Sequence, residues 1–164
     1  MNMPGEKTIT LRINGRNEET SVPPHRTLLE ALRELGHVEV KCGCEKGDCG
    51  ACAVLVNGIA LDSCLMLAWM AEGREITTIS GLGEGDEPHP LQQAFSDGGG
   101  VQCGYCTPGM IIAAKSLIAR NPDPSEEDIR LGLSGNLCRC TGYTKIFEAV
   151  IEAASVMRAT GDRR

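Results

Sequence analysis

Aromatic residues are scarce in this chain, with one Trp, two Tyr and two Phe among 164 residues. That leaves no platform on which bases would stack, and 22 Asp and Glu against 16 Lys and Arg leave no basic face for a phosphate backbone. Nucleic acid is therefore excluded as the natural partner. No long apolar run occurs either: the longest, residues 64–71, falls far short of the roughly 20 residues that span a bilayer. The first ten residues include Glu6 and Lys7 and lack the apolar core of an export signal. His25, His37 and His89 are scattered and read as surface or capping residues rather than as bases or ligands. No P-loop is present, and the G-x-G-x-G of residues 81–85 opens no helical pattern in a βαβ unit. The usual catalytic sets are thus missing, and the length fits one compact unit or two small ones, folding to bury roughly 70 % of the unfolded surface.

Cysteine, by contrast, is in excess, at nine residues. A disulfide scaffold would need export, and an odd count would leave a thiol unpaired. The expected location is the cytoplasm, where clustered cysteines bind metal or do redox work.

Two halves of different character are visible. Residues 8–13 alternate, with Ile9, Leu11 and Ile13 on one face, and Asn14-Gly15 turns the chain into a second extended run ending near Val22. Thr27 and Glu30 form a capping box for a short helix that buries Leu28, Leu29, Leu32 and Leu35 until Gly36. After a glycine and cysteine loop at 41–52, residues 53–56, Asn57-Gly58 and 59–61 predict a second hairpin, followed by a helix over 63–72 and a strand at 76–79. This pattern predicts a small mixed sheet grasping one helix.

Residues 80–90 are rich in glycine, proline and acid and read as a linker. Strand signals then vanish. A helix near 91–96 leads to a second cysteine loop. Thr107 as cap and Pro108 open a long helix with Met110, Ala113, Ala114, Leu117 and Ile118 at helical spacing, stopped by Asn121-Pro122. Ser125 and Asp128 cap another through about 133, and 145–160 carries Ile146, Val150, Ala154 and Met157 on one stripe. The second half is a small helical bundle.

The cysteine spacings carry the chemistry. Cys44, Cys49 and Cys52 follow C-x4-C-x2-C, with Cys64 after eleven further residues, which is the plant-type spacing for a [2Fe-2S] cluster. Soft thiolates suit iron, and Gly43, Gly47 and Gly50 let the loop turn N–H groups toward the sulfurs. Cys64 would start a helix, whose dipole favours a thiolate. In the second half Cys103 and Cys106 form C-x2-C, and Cys138 and Cys140 form C-x-C after 31 intervening residues. Alone, this second set also fits a four-thiolate zinc site. The redox centre in the same chain tips it toward a second [2Fe-2S] cluster, because two clusters make an electron path. Arg139 would place a cation beside it. Cys42 falls outside the frame and reads as structural or incidental.

The segments 43–52 (GCEKGDCGAC), 102–109 (QCGYCTPG) and 135–143 (GNLCRCTGY) together resemble the small iron–sulfur subunit of the xanthine oxidase family of molybdenum hydroxylases. The likeness extends over about residues 8–154. It implies an α+β chain: an N-terminal β-grasp, plant-ferredoxin-like domain (residues 1–81), then a C-terminal four-helix-bundle [2Fe-2S]-binding domain (82–164), each with one cluster. By the same resemblance the chain carries electrons between a molybdopterin site on a large subunit and FAD on a medium subunit, as part of a heterotrimer or a dimer of heterotrimers. The cluster of Cys103, Cys106, Cys138 and Cys140 would face the molybdenum cofactor, with Gln102 and Cys140 bonding the pterin; the other cluster would face the flavin. A glutamine amide offers both donor and acceptor to a heterocycle edge. Cys42 stands where the family more often has another residue. Tyr105, Tyr143 and Ile146 are candidates for a partner-facing surface. Two other readings stand beside this one: a free-standing two-cluster ferredoxin-like carrier, and a zinc-stabilised adaptor without redox activity. The substrate, whether carbon monoxide, aldehyde, purine, N-heterocycle or aromatic thioester, would be chosen by the large subunit.

Overall fold

In the computed structural model, which describes residues 5–85 and 87–161, a five-stranded mixed sheet is followed by a layer of helices, an α+β architecture. The strands are β1 (Lys7–Ile13), β2 (Arg16–Val22), β3 (Ala53–Val56), β4 (Ile59–Asp62) and β5 (Glu75–Thr77), in the order β2-β1-β5-β3-β4. Only β1 and β5 run parallel. Both hairpins turn where Asn-Gly predicts: Asn14 and Gly15, and Asn57 and Gly58, all have positive φ, the backbone of a turn that matches strand twist.

Helix α1 (Leu28–Glu34) starts at the Thr27–Glu30 capping box, with both reciprocal bonds formed, and buries Leu28, Leu29 and Leu32 with Ile9, Leu11 and Ile13. The helix expected over 63–72 is instead two short 3-10 turns, Ser63–Leu65 and Ala68–Ala71. The chain between them is extended because the entrance to α1 captures it: Leu28 N–H donates to Met66 O, Ala68 N–H donates to Arg26 O, and Leu67 bridges Thr27. The last strand is also shorter than expected, since Ile79 opens a 3-10 turn.

The second half contains α2 (Pro90–Asp97), α3 (Thr107–Arg120), α4 (Glu126–Gly132) and α5 (Thr144–Thr160). His89 is fully buried and caps α2, its ring accepting from Leu91 N–H. Thr107, expected to cap α3, is its first helical residue; Cys106 takes the cap position, and the Thr107 hydroxyl is buried without a partner. The Ser125–Asp128 capping box is present. Among the described residues no helix is long and apolar enough to cross a membrane.

β3 joins the halves. All four of its residues are buried, Val54 and Val56 in the core with α1, Ala53 and Leu55 in the core with Phe95, Met110 and Ile146. Helix α3 packs on β3, which explains why residues Gly109 to Ile118 are buried on every face rather than along one stripe.

Candidate metal centres

The first cysteine loop is shaped by three residues with positive φ, Glu45, Gly47 and Gly50. It turns amide hydrogens inward: Asp48 N–H lies 3.2 Å from Cys44 Sγ. The Lys46 N–H beside Cys44, helped by those of Asp48 and Cys49, brings its thiol down to about 7. Cys49 is the hydrogen-bond partner of Cys44, and burial pushes its thiol up. Cys52 and Cys64 form a second pair, both buried. Burial, with Cys64 and Asp62 adjacent, pushes Cys52 up to about 12. Ser63 ties this pair together by donating its hydroxyl to Cys52 O at 2.7 Å. Cys64 lies in a three-residue 3-10 turn, so the helix dipole expected there is absent.

Gly43 leaves room that the first pair needs, because a methyl there would sit 2.7 Å from Cys49 Sγ. Cys42 hydrogen-bonds a carboxylate instead of a thiol: it donates to Glu45 Oε1 at 2.8 Å, which, ahead of burial, raises its pKa.

The second set is also built of pairs. Cys106 hydrogen-bonds Cys138, and Cys103 hydrogen-bonds Cys140. Burial pushes Cys106 up to about 12. At Cys138 burial acts upward too, but the Thr141 hydroxyl at 3.2 Å and N–H at 3.5 Å outweigh it and bring the thiol to about 7. The Cys103 thiol, as hydrogen-bond partner, raises that of Cys140. Cys103 and Cys140 are exposed, whereas Cys106 and Cys138 are half-buried. The backbone before α5 is fixed by Tyr143, which has φ 70° and whose hydroxyl accepts from Cys138 N–H at 2.8 Å.

Two thiols for each iron is what a two-iron cluster requires, and the eight cysteines fall into four such pairs. The donor set and the inward N–H groups fit [2Fe-2S] clusters.

Gln102 is exposed beside Cys103, as is Arg139 beside Cys140. Of the residues expected at a partner-facing surface, Tyr105 is 49 % exposed, Tyr143 is half-buried against Phe147, and Ile146 is fully buried. Ile146 belongs to the core stripe of α5 together with Val150 and Met157, which takes it away from any surface.

The spacings gave no warning that the two cysteine loops touch. Asn136 Nδ2–H donates to Gly50 O at 3.0 Å, Leu137 N–H donates to Cys49 O at 3.0 Å, and Tyr105 donates its hydroxyl to Cys42 O. The available signal was Gly109, a glycine inside a helix, which marks close approach of another backbone; here that backbone is Gly50.

Residues 11–77 match the family described as 2Fe-2S iron-sulfur cluster binding domain, and residues 78–151 match the family described as [2Fe-2S] binding domain. The nicotinate dehydrogenase small FeS subunit of Eubacterium barkeri is 51 % identical over 144 residues, 87 % of this chain and 92 % of that one. The xanthine dehydrogenase iron-sulfur-binding subunit of Escherichia coli O157:H7 is 48 % identical over 150 residues, 88 % of this chain and 92 % of that one. Among solved structures, quinoline 2-oxidoreductase from Pseudomonas putida 86 superposes with a TM-score of 0.91 at 42 % identity, covering 96 % of this chain and 99 % of that chain. The aldehyde oxidoreductase of Desulfovibrio desulfuricans ATCC 27774 gives 0.88 at 42 % identity over 93 % of this chain, but only 17 % of its own.

Proposed function

Because this chain belongs to the small iron–sulfur subunits of the xanthine oxidase family, we propose that it is the electron-transfer subunit of a multi-subunit molybdenum hydroxylase and makes and breaks no substrate bonds itself. The first cluster is held by Cys44, Cys49, Cys52 and Cys64, the second by Cys103, Cys106, Cys138 and Cys140. Each cluster, when bound, supplies one-electron redox chemistry. The observation that carries this reading is the division of eight cysteines into four close pairs, two in each half of the chain, with the halves in hydrogen-bond contact.

The chain's own residues do the rest. N–H groups of Lys46, Asp48 and Thr141 stabilise negative charge on Cys44 and Cys138. Burial of Cys52 and Cys64 keeps water from one side of the first site, while exposed Cys103 and Cys140 leave the second open to a partner. We assign that open side to the large subunit's molybdopterin, contacted by Gln102 and Cys140, and the first site to FAD on a medium subunit. The sheet grasping α1 supports a β-grasp domain over residues 1–81, and α2 to α5 support a four-helix bundle over 82–164; two hydrophobic cores, one on each face of β3, and two adjoining family matches favour that division. We place the assembly, a heterotrimer or its dimer, in the cytoplasm, where nine thiols stay reduced.

Purification from the native host tests the reading. Four irons and four acid-labile sulfides per chain, with molybdenum and flavin polypeptides co-eluting, are expected. Two zinc ions without labile sulfide would sink both cluster assignments, and a four-iron chain that always elutes alone would make it a free-standing carrier.

A further inference from the structure

The junction between the two cysteine loops is three hydrogen bonds that all end on main-chain carbonyls of the first loop, those of Cys42, Cys49 and Gly50. Their donors flank the second cysteine set: Tyr105 lies between Cys103 and Cys106, and Asn136 and Leu137 immediately precede Cys138. Only one donor is a buried side chain. Asn136 is 7 % exposed, and its own N–H is anchored on Leu133 O, at the end of α4, at 2.9 Å. Tyr105, in contrast, is half exposed and competes with water, and the Leu137 donor is a peptide N–H common to nearly any residue.

Gly50 is hemmed in on all sides. Its φ is +66°, a methyl on it would strike the Asn136 amide and the Gly135 carbonyl, and a methyl on Gly109 would strike the Gly50 carbonyl. A glycine has many backbone states at similar energy, so a loop turning on Gly47 and Gly50 is only partly fixed by its own turn bond, Ala53 N–H to Gly50 O at 3.2 Å. The Asn136 amide is the second donor on that carbonyl and the one that comes from the other half of the chain.

We propose that Asn136 is a positioning residue: by pinning the Gly50 carbonyl it fixes the 44–52 loop against the segment carrying Cys138, and so sets the separation and orientation of the two metal centres. This rests on the two-cluster reading for what is positioned, but the clamp itself is independent of which metal is bound.

The test uses the full chain with Asn136→Asp, which keeps the shape and replaces the donating N–H by an acceptor, and Asn136→Ala, which removes the amide. Ser116→Ala is the control, because Ser116 Oγ accepts from Ala60 N–H at 3.2 Å and joins the same halves away from the cysteine loops. Both Asn136 variants should keep the wild-type iron and sulfide content, yet show an altered magnetic interaction between the two reduced clusters in EPR. Amide exchange in a peptide covering 44–52 should accelerate roughly ten-fold or more, the factor for one buried hydrogen bond lost. Ser116→Ala should match wild type in both readouts. Unchanged coupling and exchange in both Asn136 variants would overturn the proposal, as would the same changes in Ser116→Ala. Loss of a cluster on Asn136→Ala would overturn it too, by making the residue a requirement for assembly. Should the protein hold zinc without sulfide, the cluster reading falls, and the exchange measurement still decides for or against the clamp.

Discussion

Cys42 and Cys44 lie two positions apart and face different chemistry. Cys44 sits among N–H donors and beside another thiol, while Cys42 is held by the Glu45 carboxylate, which opposes formation of a thiolate. The Cys42→Ala chain should therefore retain all its iron. Cys49→Ser and Cys106→Ser should each lose half of the iron and leave the other half, measured by iron and labile-sulfide analysis; full iron in either would refute the ligand set. Glycine gives a second prediction at this scale. Alanine at Gly109 would gain up to about 1 kcal/mol in helix propensity. It would also drive a methyl into the Gly50 carbonyl, main chain that cannot rotate away, at roughly 1–3 kcal/mol. Gly109→Ala should thus be a net loss, visible as a lower thermal midpoint. Residue spacing made the grouping of the cysteines readable, since C-x4-C-x2-C, C-x2-C and C-x-C are local patterns, but not their pairing, because Cys106 meets Cys138 and Cys103 meets Cys140 from distant parts of the chain. Asn136 was not readable either, because its partner lies 86 residues away.

The elements divide along the same line. Both hairpins and the α1 and α4 caps were legible because Asn-Gly and the S/T-x-x-E/D pattern act within four residues. The break at Met66–Leu67 was not, because its cause is a main-chain contact with residues 26–28. Burial of Ile146 was legible from its place on the α5 stripe and should have outweighed its nearness to the cysteines. The α1 cap makes a pH prediction. The Thr27 N–H, followed by its hydroxyl, holds the Glu30 carboxyl below its usual 4.5. A carboxylate with a lowered folded pKa contributes stability that is full above 4.5 and disappears as pH falls through the folded value. Glu30→Gln should therefore be less stable than wild type near neutrality, and the gap in thermal midpoint should close as pH falls below 4.5. A gap that widened instead would contradict the cap assignment.

At the scale of the whole molecule, β3 has an apolar core on each face, so neither half can lose its packing without exposing the other. Unfolding should be a single cooperative transition by calorimetry, with calorimetric and van't Hoff enthalpies equal, despite two metal sites and two family matches. Because metal binding contributes to folding free energy, stripping the clusters should lower that one midpoint rather than split it.

The segment from Leu82 to His89 has a further consequence. Leu82 is embedded in the helical core, His89 caps α2, and Gln92 bonds Ile79 O at 3.0 Å, so both ends of the stretch are moored before the chain crosses. Within the crossing Glu84 and Glu87 exchange main-chain hydrogen bonds at 3.1 and 3.0 Å, and with both ends moored the covalent connection adds chiefly local concentration. A protease that nicks the exposed Glu84–Gly85 bond should yield two peptides that still migrate as one particle under native conditions and part only in denaturant. The two parts could equally be made as separate polypeptides that find one another, because what joins them is written in the core they share at β3 and in the glycines and carbonyls of the junction, and not in the peptide bonds that cross it.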